Sequence, residues 1–344
     1  MKTHKLRLPA ILLLAVSPVL CMNTQAETVS EIFALASEND AQLKGERYSW
    51  LANRETEALS RASLLPQVSL GANYSRSDYN SSATDTESEQ YSISVSQSLF
   101  NLSNWYTYQQ GKQLVSQADA SFRKSEQDLI VRVAKAYTAA LAALDAYETA
   151  KAEEAAIGRQ LEQTKQRFEV GLIAITDVHE SQASFDSAVV KRVNALGEIG
   201  IAFEALEVLT GQAIQGINPL VDDFPVSLPD TPRDEWVRLA LANNPDLSAS
   251  RYAVEAAAAN AKSKASMYMP TVSGQLQYND QDTNQSPGFD FDQHGAVFTL
   301  SVNVPLYSGG GINAGKRQAY YQLNAAREAQ TRIERNTVQA ARSQ

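Results

Sequence analysis

The chain writes one unit nearly twice, and this internal repeat restricts its fold more than any single motif does. Ile32-Phe33-Ala34-Leu35-Ala36 before Asn39-Asp40-Ala41-Gln42-Leu43 matches Trp236-Val237-Arg238-Leu239-Ala240 before Asn243-Asn244-Pro245-Asp246-Leu247, an offset of 204. The same offset carries Pro66 onto Pro270, Val68 onto Val272 and Tyr74 onto Tyr278. Further on, Val95, Leu99 and Phe100 fall on Val302, Leu306 and Tyr307 at an offset of 207. Thr28-x-x-Glu31 and Thr231-Pro232-x-Asp234 both read as capping boxes at helix starts. Between the copies, Pro219, Pro225, Pro229 and Pro232 mark a linker. The organisation read from this is a leader over 1–26, a first repeat over 27–210, a linker over 211–232 and a second repeat over 233–344. Each copy runs helix, strand, acidic loop, strand, long helix. By the offset Gln344 corresponds to Tyr137, whereas the first copy continues to Gly211. The second repeat therefore lacks its hairpin, and the sequence reads as a C-terminally truncated form of a longer product.

Lys2, Lys5 and Arg7 precede an apolar stretch from Leu8 to Leu20, and Thr24-Gln25-Ala26 offers a small residue for cleavage. This is the pattern of an export signal. A lipid anchor on Cys21 is the competing reading, and Leu20 stands where such a site needs a small residue. The balance of 39 acidic against 30 basic side chains gives a net charge of −9, against a general nucleic-acid binder. One cysteine and three histidines leave too few ligands for a usual zinc or iron–sulfur site. No apolar run of membrane-helix length follows the leader.

The strands are the most informative segments. Tyr91, Ile93, Val95 and Leu99 alternate with Ser92, Ser94, Ser96 and Ser98. Phe298, Leu300, Val302, Val304 and Leu306 alternate with Thr299, Ser301, Asn303 and Pro305; Val68, Leu70, Ala72 and Tyr74, and later Val272, Leu276 and Tyr278, do the same against Ser, Gln and Asn. Period-two alternation marks strands with one apolar and one small-polar face. One such strand alone would fit a soluble sheet. Four of about ten residues in an exported chain predict an outer-membrane barrel with a wet lumen. Loops carrying Asp78, Asp85, Glu87 and Glu89, and Asp280, Asp282, Asp290 and Asp292, would face outside. Four strands cannot close a barrel, and an open edge in lipid leaves backbone groups unpaired, so several chains must share one.

The helices exceed those of an ordinary globular domain. No proline occurs from Gln67 to Asn218. Phe122, Leu129, Val133, Tyr137, Leu141 and Leu144 form one coiled-coil-like seam, and Val178, Phe185, Val189, Val193, Leu196, Phe203 and Leu206 form another. Residues 105–170 as one helix would span roughly 100 Å. Gly171 suits that helix's C-terminus, and Asp177-x-x-Glu180 reads as the acidic cap of the next. An antiparallel hairpin turning at 171–176 results.

At this turn, Arg167-Phe168-Glu169-Val170-Gly171-Leu172-Ile173-Ala174-Ile175-Thr176-Asp177-Val178 resembles the periplasmic tip motif of the TolC family of outer-membrane efflux and secretion channels. The Leu306-Tyr307-Ser308-Gly309-Gly310 junction and the repeat architecture resemble that family too. The resemblance implies an α+β membrane protein. Its outer-membrane β-barrel is shared between the subunits of a homotrimer, four strands per chain, and continues into long periplasmic coiled-coil helices. It implies a passive exit duct of a tripartite efflux or type I secretion system. The partners would be a periplasmic adaptor (a membrane fusion protein) and an inner-membrane pump of ABC, RND or MFS type, with outer-membrane lipid around the barrel. Val170, Gly171 and Leu172 match the adaptor-docking turn, and Thr176 and Asp177 match polar residues that hold the tip closed. The family's gating partners lie on the second hairpin.

Other motifs are weaker. Gly310 to Arg317 approaches a phosphate-binding loop, but Arg317 replaces the required Ser or Thr. His179-Glu180 opens like a zinc-protease motif, but Ala183 occupies the second ligand position. Trp105, Tyr106 and Tyr108 read as an interfacial aromatic girdle. No catalytic, cofactor or metal constellation is expected. The alternative readings are a periplasmic coiled-coil adaptor and a non-functional channel fragment; an adaptor has no reason to present lipid-facing ladders.

Overall fold

A computed structural model of the chain describes residues 26–78, 85–220, 232–286, 288 and 290–343. The expected leader, apart from Ala26, lies outside the described residues, as do Cys21, linker residues 221–231 and Thr231 of the second capping box.

The chain forms two compact units. One takes the N-terminal segment up to Glu38 and the chain from Val133 to the linker; the other takes Asn39–Arg132 and everything after the linker. The first repeat comprises α1 (Val29–Asn39), α2 (Ala41–Ala62), β1 (Gln67–Ser77), β2 (Asp85–Phe100), α3 (Leu102–Glu169) and α4 (Ile175–Thr210). The second comprises α5 (Arg233–Asn243), α6 (Pro245–Ala265), a short 3₁₀ turn, β3 (Thr271–Ser286), β4 (Phe291–Asn303) and α7 (Gly311–Ser343).

Each copy opens with two helices rather than the single one expected. The break falls at Asp40 and Asn244, whose side chains accept from the N–H groups of Leu43 at 2.8 Å and Leu247 at 3.1 Å. A capping side chain in extended backbone starts a new helix; Pro245 adds a pre-set φ at the first position of α6. The Thr28–Glu31 box forms as expected, with the Thr28 N–H donating to Glu31 at 2.7 Å and the Glu31 N–H to Thr28 Oγ1 at 3.3 Å.

The four strands form one antiparallel sheet in the order β1-β2-β3-β4. They are longer than the alternation implied. Asp85, Glu87 and Glu89 belong to β2, Asp280 and Asp282 to β3 and Asp292 to β4, leaving only Asp78 and Asp290 of the expected loop acids outside strands. The β2–β3 ladder runs unbroken from Asp85↔Ser286 to Ser98↔Ser273, so backbone pairing carries the strands past their apolar section. At the other end β4 stops at Asn303, and Val304 and Leu306 lie beyond it. Pro305 lacks the N–H a ladder needs there.

The α3 seam is observed: Leu129, Val133 and Tyr137 are buried. On α4 the seam needs correction. Val193 and Leu196 stay half exposed, and Arg192, Ala195 and Ile199 take the inward positions instead. Arg192 turns inward because it pairs with Glu154 of α3. In the other unit, Ala261 of α6 packs with Ala319 and Leu323 of α7, small side chains allowing close approach.

Candidate functional site

Two regions carry the functional features, one in each unit. The first is the sheet. Residues paired across neighbouring strands share a face. Val68, Val95, Leu276 and Phe298 form one row, and Leu70, Ile93, Tyr278 and Ala296 the next. Phe100, Val272 and Val302 close the apolar face at one end, where β2 carries a bulge between Ser98 and Phe100. Leu99 there lies beside Gly274. From Val272 to Asp280 the strand rises about 27 Å at roughly 3.4 Å per residue. A tilt of about 40° reduces this to about 21 Å, close to the apolar band height of about 25 Å typical of outer-membrane barrels. Beyond the band, the same face carries Glu89, Asp282 and Asp292 in register.

The opposite face is polar. Ser69 and Ser94 share a hydrogen bond of 2.8 Å, and Ser88 and Thr283 one of 3.1 Å. Gln275 donates to Gln277 at 3.1 Å and Gln277 to Asn279 at 2.7 Å, a carboxamide track along β3. The sequence reading found the alternation but missed this track, whose signal was the run of amides at every second position. The edge strands β1 and β4 each have a single partner strand within the chain.

Past the sheet, Tyr108 donates to Glu57 at 3.2 Å and Lys262 lies over the Tyr106 ring. Of the three expected girdle aromatics, Trp105 is half exposed. Leu306 and Tyr307 of the strand-to-helix junction are almost fully exposed, and Gly309 and Gly310 have φ of 60° and 82°. Glycine alone adopts such backbone readily.

The second region is the hairpin tip. The Leu172 N–H donates to the Arg167 carbonyl at 2.9 Å and the Gly171 N–H to the Phe168 carbonyl at 2.8 Å. This bond pair is a Schellman motif, and it needs the left-handed residue that Gly171 supplies at φ 74°. The turn holds Val170 and Leu172 out to solvent, 71% and 73% exposed, where burial against the chain's own core is absent. Asp177 is not the cap of α4. Ala174 occupies that position without a side-chain bond, and Asp177 sits in the first turn, its N–H on the Ala174 carbonyl at 3.1 Å. A carboxylate there still suits the helix dipole. Asp177 lines a cleft of about 500 Å³ between α3 and α4 with Leu161, Thr164, Arg167, Ile173 and Glu180; Thr176 is exposed. The hairpin behind the tip is held by Phe185 packed on Gly158, by Lys191–Glu153 at 2.8 Å and by Ser181 donating to Thr164 at 3.3 Å. His179 is exposed.

These features match known proteins over nearly the whole chain. The family model described as outer membrane efflux protein matches residues 33–212 and 236–343. The outer membrane protein TolC of Vibrio cholerae is 34% identical over 323 residues, covering 92% of this chain and 74% of the relative. The alkaline protease secretion protein AprF of Pseudomonas aeruginosa is 31% identical over 310 residues, covering 85% and 63%. Among solved structures, a membrane protein from Pseudomonas aeruginosa matches with a TM-score of 0.77 at 19% identity, over 90% of this chain and 73% of that one. CusC matches at 0.74 and 18%, over 92% and 72%. At such identities the structural likeness speaks for the fold alone. Together with the family match, it makes this chain a member of the outer membrane efflux protein family, the TolC-type outer-membrane channels of efflux and type I secretion that extend into the periplasm.

Proposed function

We propose that the chain is one third of a homotrimeric exit duct, passive in itself and driven by an inner-membrane pump through a periplasmic adaptor. The observation that carries this reading is the open four-stranded sheet with an apolar face. A lipid-facing sheet edge leaves N–H and C=O groups without water or partner, so β1 of one copy must pair with β4 of another. Four strands fall short of the eight that the smallest barrels use, and three copies supply twelve. Detergent-extracted protein should migrate on unheated SDS gels as a trimer and collapse to monomer on boiling. Monomer alone in the unheated sample would sink the reading.

At the tip, Val170, Gly171 and Leu172 form the adaptor-docking turn, and Thr176 and Asp177 help hold the entrance closed. Two exposed aliphatic side chains on a rigid turn are suited to enter an apolar groove, the usual anchor of a hot spot. Adaptor binding then stabilises the open arrangement over the closed one. Leu172→Asp should abolish export in cells while leaving the trimer intact, and Asp177→Ala should raise single-channel conductance. Normal export by Leu172→Asp, or unchanged conductance of Asp177→Ala, would remove the corresponding assignment. The relatives include a protein named for alkaline protease secretion and one named a protease secretion protein. Export of polypeptides is thus within the scope of the proposal, alongside efflux of small molecules.

A further inference from the structure

The N-terminal segment enters the fold at one residue. The Glu27 N–H donates to the Gly216 carbonyl at 3.0 Å, and the Glu27 carbonyl accepts from the Asn218 N–H at 3.0 Å. Glu27 and Ile217 thus form an isolated parallel bridge. Tyr137, buried on α3, secures it: its hydroxyl donates to the Asn218 carbonyl at 2.6 Å, with the Glu27 carbonyl 3.3 Å away. All of these residues belong to one compact unit, where they tie the start of α1 to the base of the α3–α4 hairpin.

The backbone of the bridge is paired, and the Glu27 side chain is not. Its Oε2 is buried without a hydrogen-bond partner among the described residues. A carboxylate oxygen closed off from water and left unpaired is destabilising. Glu31 of α1 and, from α3, the Tyr137 phenol are its titratable neighbours. Burial, and then repulsion from Glu31, raises the Glu27 pKa. Among the described residues, no lysine or arginine forms an ion pair with either carboxylate.

Cleavage after Ala26 would supply the missing cation. Hydrolysis of the Ala26–Glu27 peptide bond sends the water's hydroxyl to the Ala26 carbonyl carbon. The Glu27 nitrogen keeps its hydrogen, gains the water's proton and takes up the one that the new carboxyl releases. The resulting ammonium retains its bond to Gly216 and has two further N–H groups. The Glu27 side chain is long enough to fold back on its own nitrogen, and Glu31 Oε2 already sits 2.7 Å from the backbone nitrogen of Thr28, the next residue. The bond lost is the one from the Asn218 carboxamide to the Ala26 carbonyl, at 2.9 Å and exposed, where water substitutes. The positive end of the α1 dipole opposes a cation here, but two carboxylates face the single ammonium.

We propose that the α-ammonium created by leader cleavage is a maturation latch: it closes onto the Glu27 and Glu31 carboxylates and tightens the Glu27–Ile217 bridge at the hairpin base. This rests on the export signal read at residues 1–26 and is independent of the shared barrel.

The test is the intact mass of the subunit extracted from outer membranes, followed by titration of its α-amine through the pH dependence of trace acetylation. The chain should start at Glu27, and its amine should titrate about one unit above the ordinary value of about 8, as an opposite charge within a few ångströms dictates. Glu27→Ala should return it most of the way, and Glu31→Gln by a smaller step. An amine that titrates at its ordinary value, or that both substitutions leave unmoved, overturns the latch. So does a mass short by one water, the mark of a cyclised Glu27 with no ammonium left. A chain that begins elsewhere brings down the cleavage reading itself. If Glu27→Ala blocks processing, which its mass reveals, Glu31→Gln carries the test.

Discussion

The two repeats build the same corner with different chemistry. Asp40 and Asn244 stand at equivalent positions, and both cap the following helix through an oxygen that accepts from the third residue on. Their remaining bonds diverge. Asp40 is almost fully buried and grips Arg132 through two bonds, at 2.7 and 3.2 Å. Asn244 donates to the buried hydroxyl of Thr337 at 3.2 Å. The cap is what the backbone needs, and either side chain supplies it. The partner is free to vary, and it decides how the corner responds to mutation and to pH.

The largest expected effect follows from breaking the charged corner. Arg132→Ala strands a buried carboxylate, and removing one member of a buried pair costs about 3–5 kcal/mol. Arg132 keeps 29% of its side chain exposed, so a loss of about 3 kcal/mol is expected in denaturant titration of the detergent-solubilised protein. A loss below about 1 kcal/mol would show that solvent takes over the role of Arg132. Next comes the α2–α3 crossing of the same unit. A side chain at Gly111 would collide with the Ser60 hydroxyl and meet the Thr56 carbonyl at 3.1 Å, whereas the α6–α7 crossing already closes on Ala261 and Ala319. Gly111→Ala should therefore destabilise by about 1–3 kcal/mol through overpacking, despite alanine's better helix propensity. A stabilised Gly111→Ala protein would refute the close approach.

Thr337→Ala in the neutral corner should cost less, about 1 kcal/mol for one lost neutral hydrogen bond. The double change Asp40→Asn with Arg132→Thr rewrites the first corner in the second's chemistry. It should recover most of the Arg132→Ala loss, because no buried charge is left without a partner. Failure to recover would place the loss in Arg132's packing rather than its charge.

The smallest effect is in pH. Burial is the largest single influence on Asp40 and acts to raise its pKa. The bonds from Arg132 and from the Leu43 N–H, with the attraction of Arg132 and the Gln42 N–H, outweigh it and leave the carboxyl below its ordinary value. A depressed carboxylate contributes stability above its unfolded pKa, near 4, and loses it as pH falls through the folded value. Asn244 does not titrate. Asp246, two residues on, runs in the opposite sense: burial and Asp128 raise its pKa against the pull of Lys124, so protonation relieves a penalty. Hydrogen exchange at the Leu43 amide should therefore quicken as pH drops below about 4, relative to its intrinsic rate, while Leu247 does not follow. Parallel behaviour of the two amides would erase the distinction.

Much of this architecture was legible in order along the chain. The period-two runs placed four strands, the spacing of Leu129, Val133 and Tyr137 placed a seam, and Gly171 placed the turn. Each signal is local: a few residues report their own backbone state. The errors fell where a partner distant in sequence decides. Asp85, Glu87 and Glu89 read as loop because acids disfavour strands, yet the β3 ladder holds them extended. Val193 and Leu196 read as seam because they are apolar, yet Glu154 draws Arg192 inward and turns those two out. Asp177 read as a cap because its residue type favours that position, while the chain leaving the Schellman turn at Gly171 starts α4 from Ala174, three positions earlier.

The sequence by itself determined the repeat, the alternation and the tip turn, because side-chain period and glycine's access to positive φ are properties of short segments. Only the tertiary structure decided that Asp40 would meet Arg132, 92 positions away, while its counterpart met a hydroxyl. Only pairing across β1 to β4 sorted every strand charge onto one face. Period two says that neighbours alternate; it does not say which set from each strand comes together. Register settles that, and register is fixed by hydrogen bonds between segments that lie up to about two hundred residues apart.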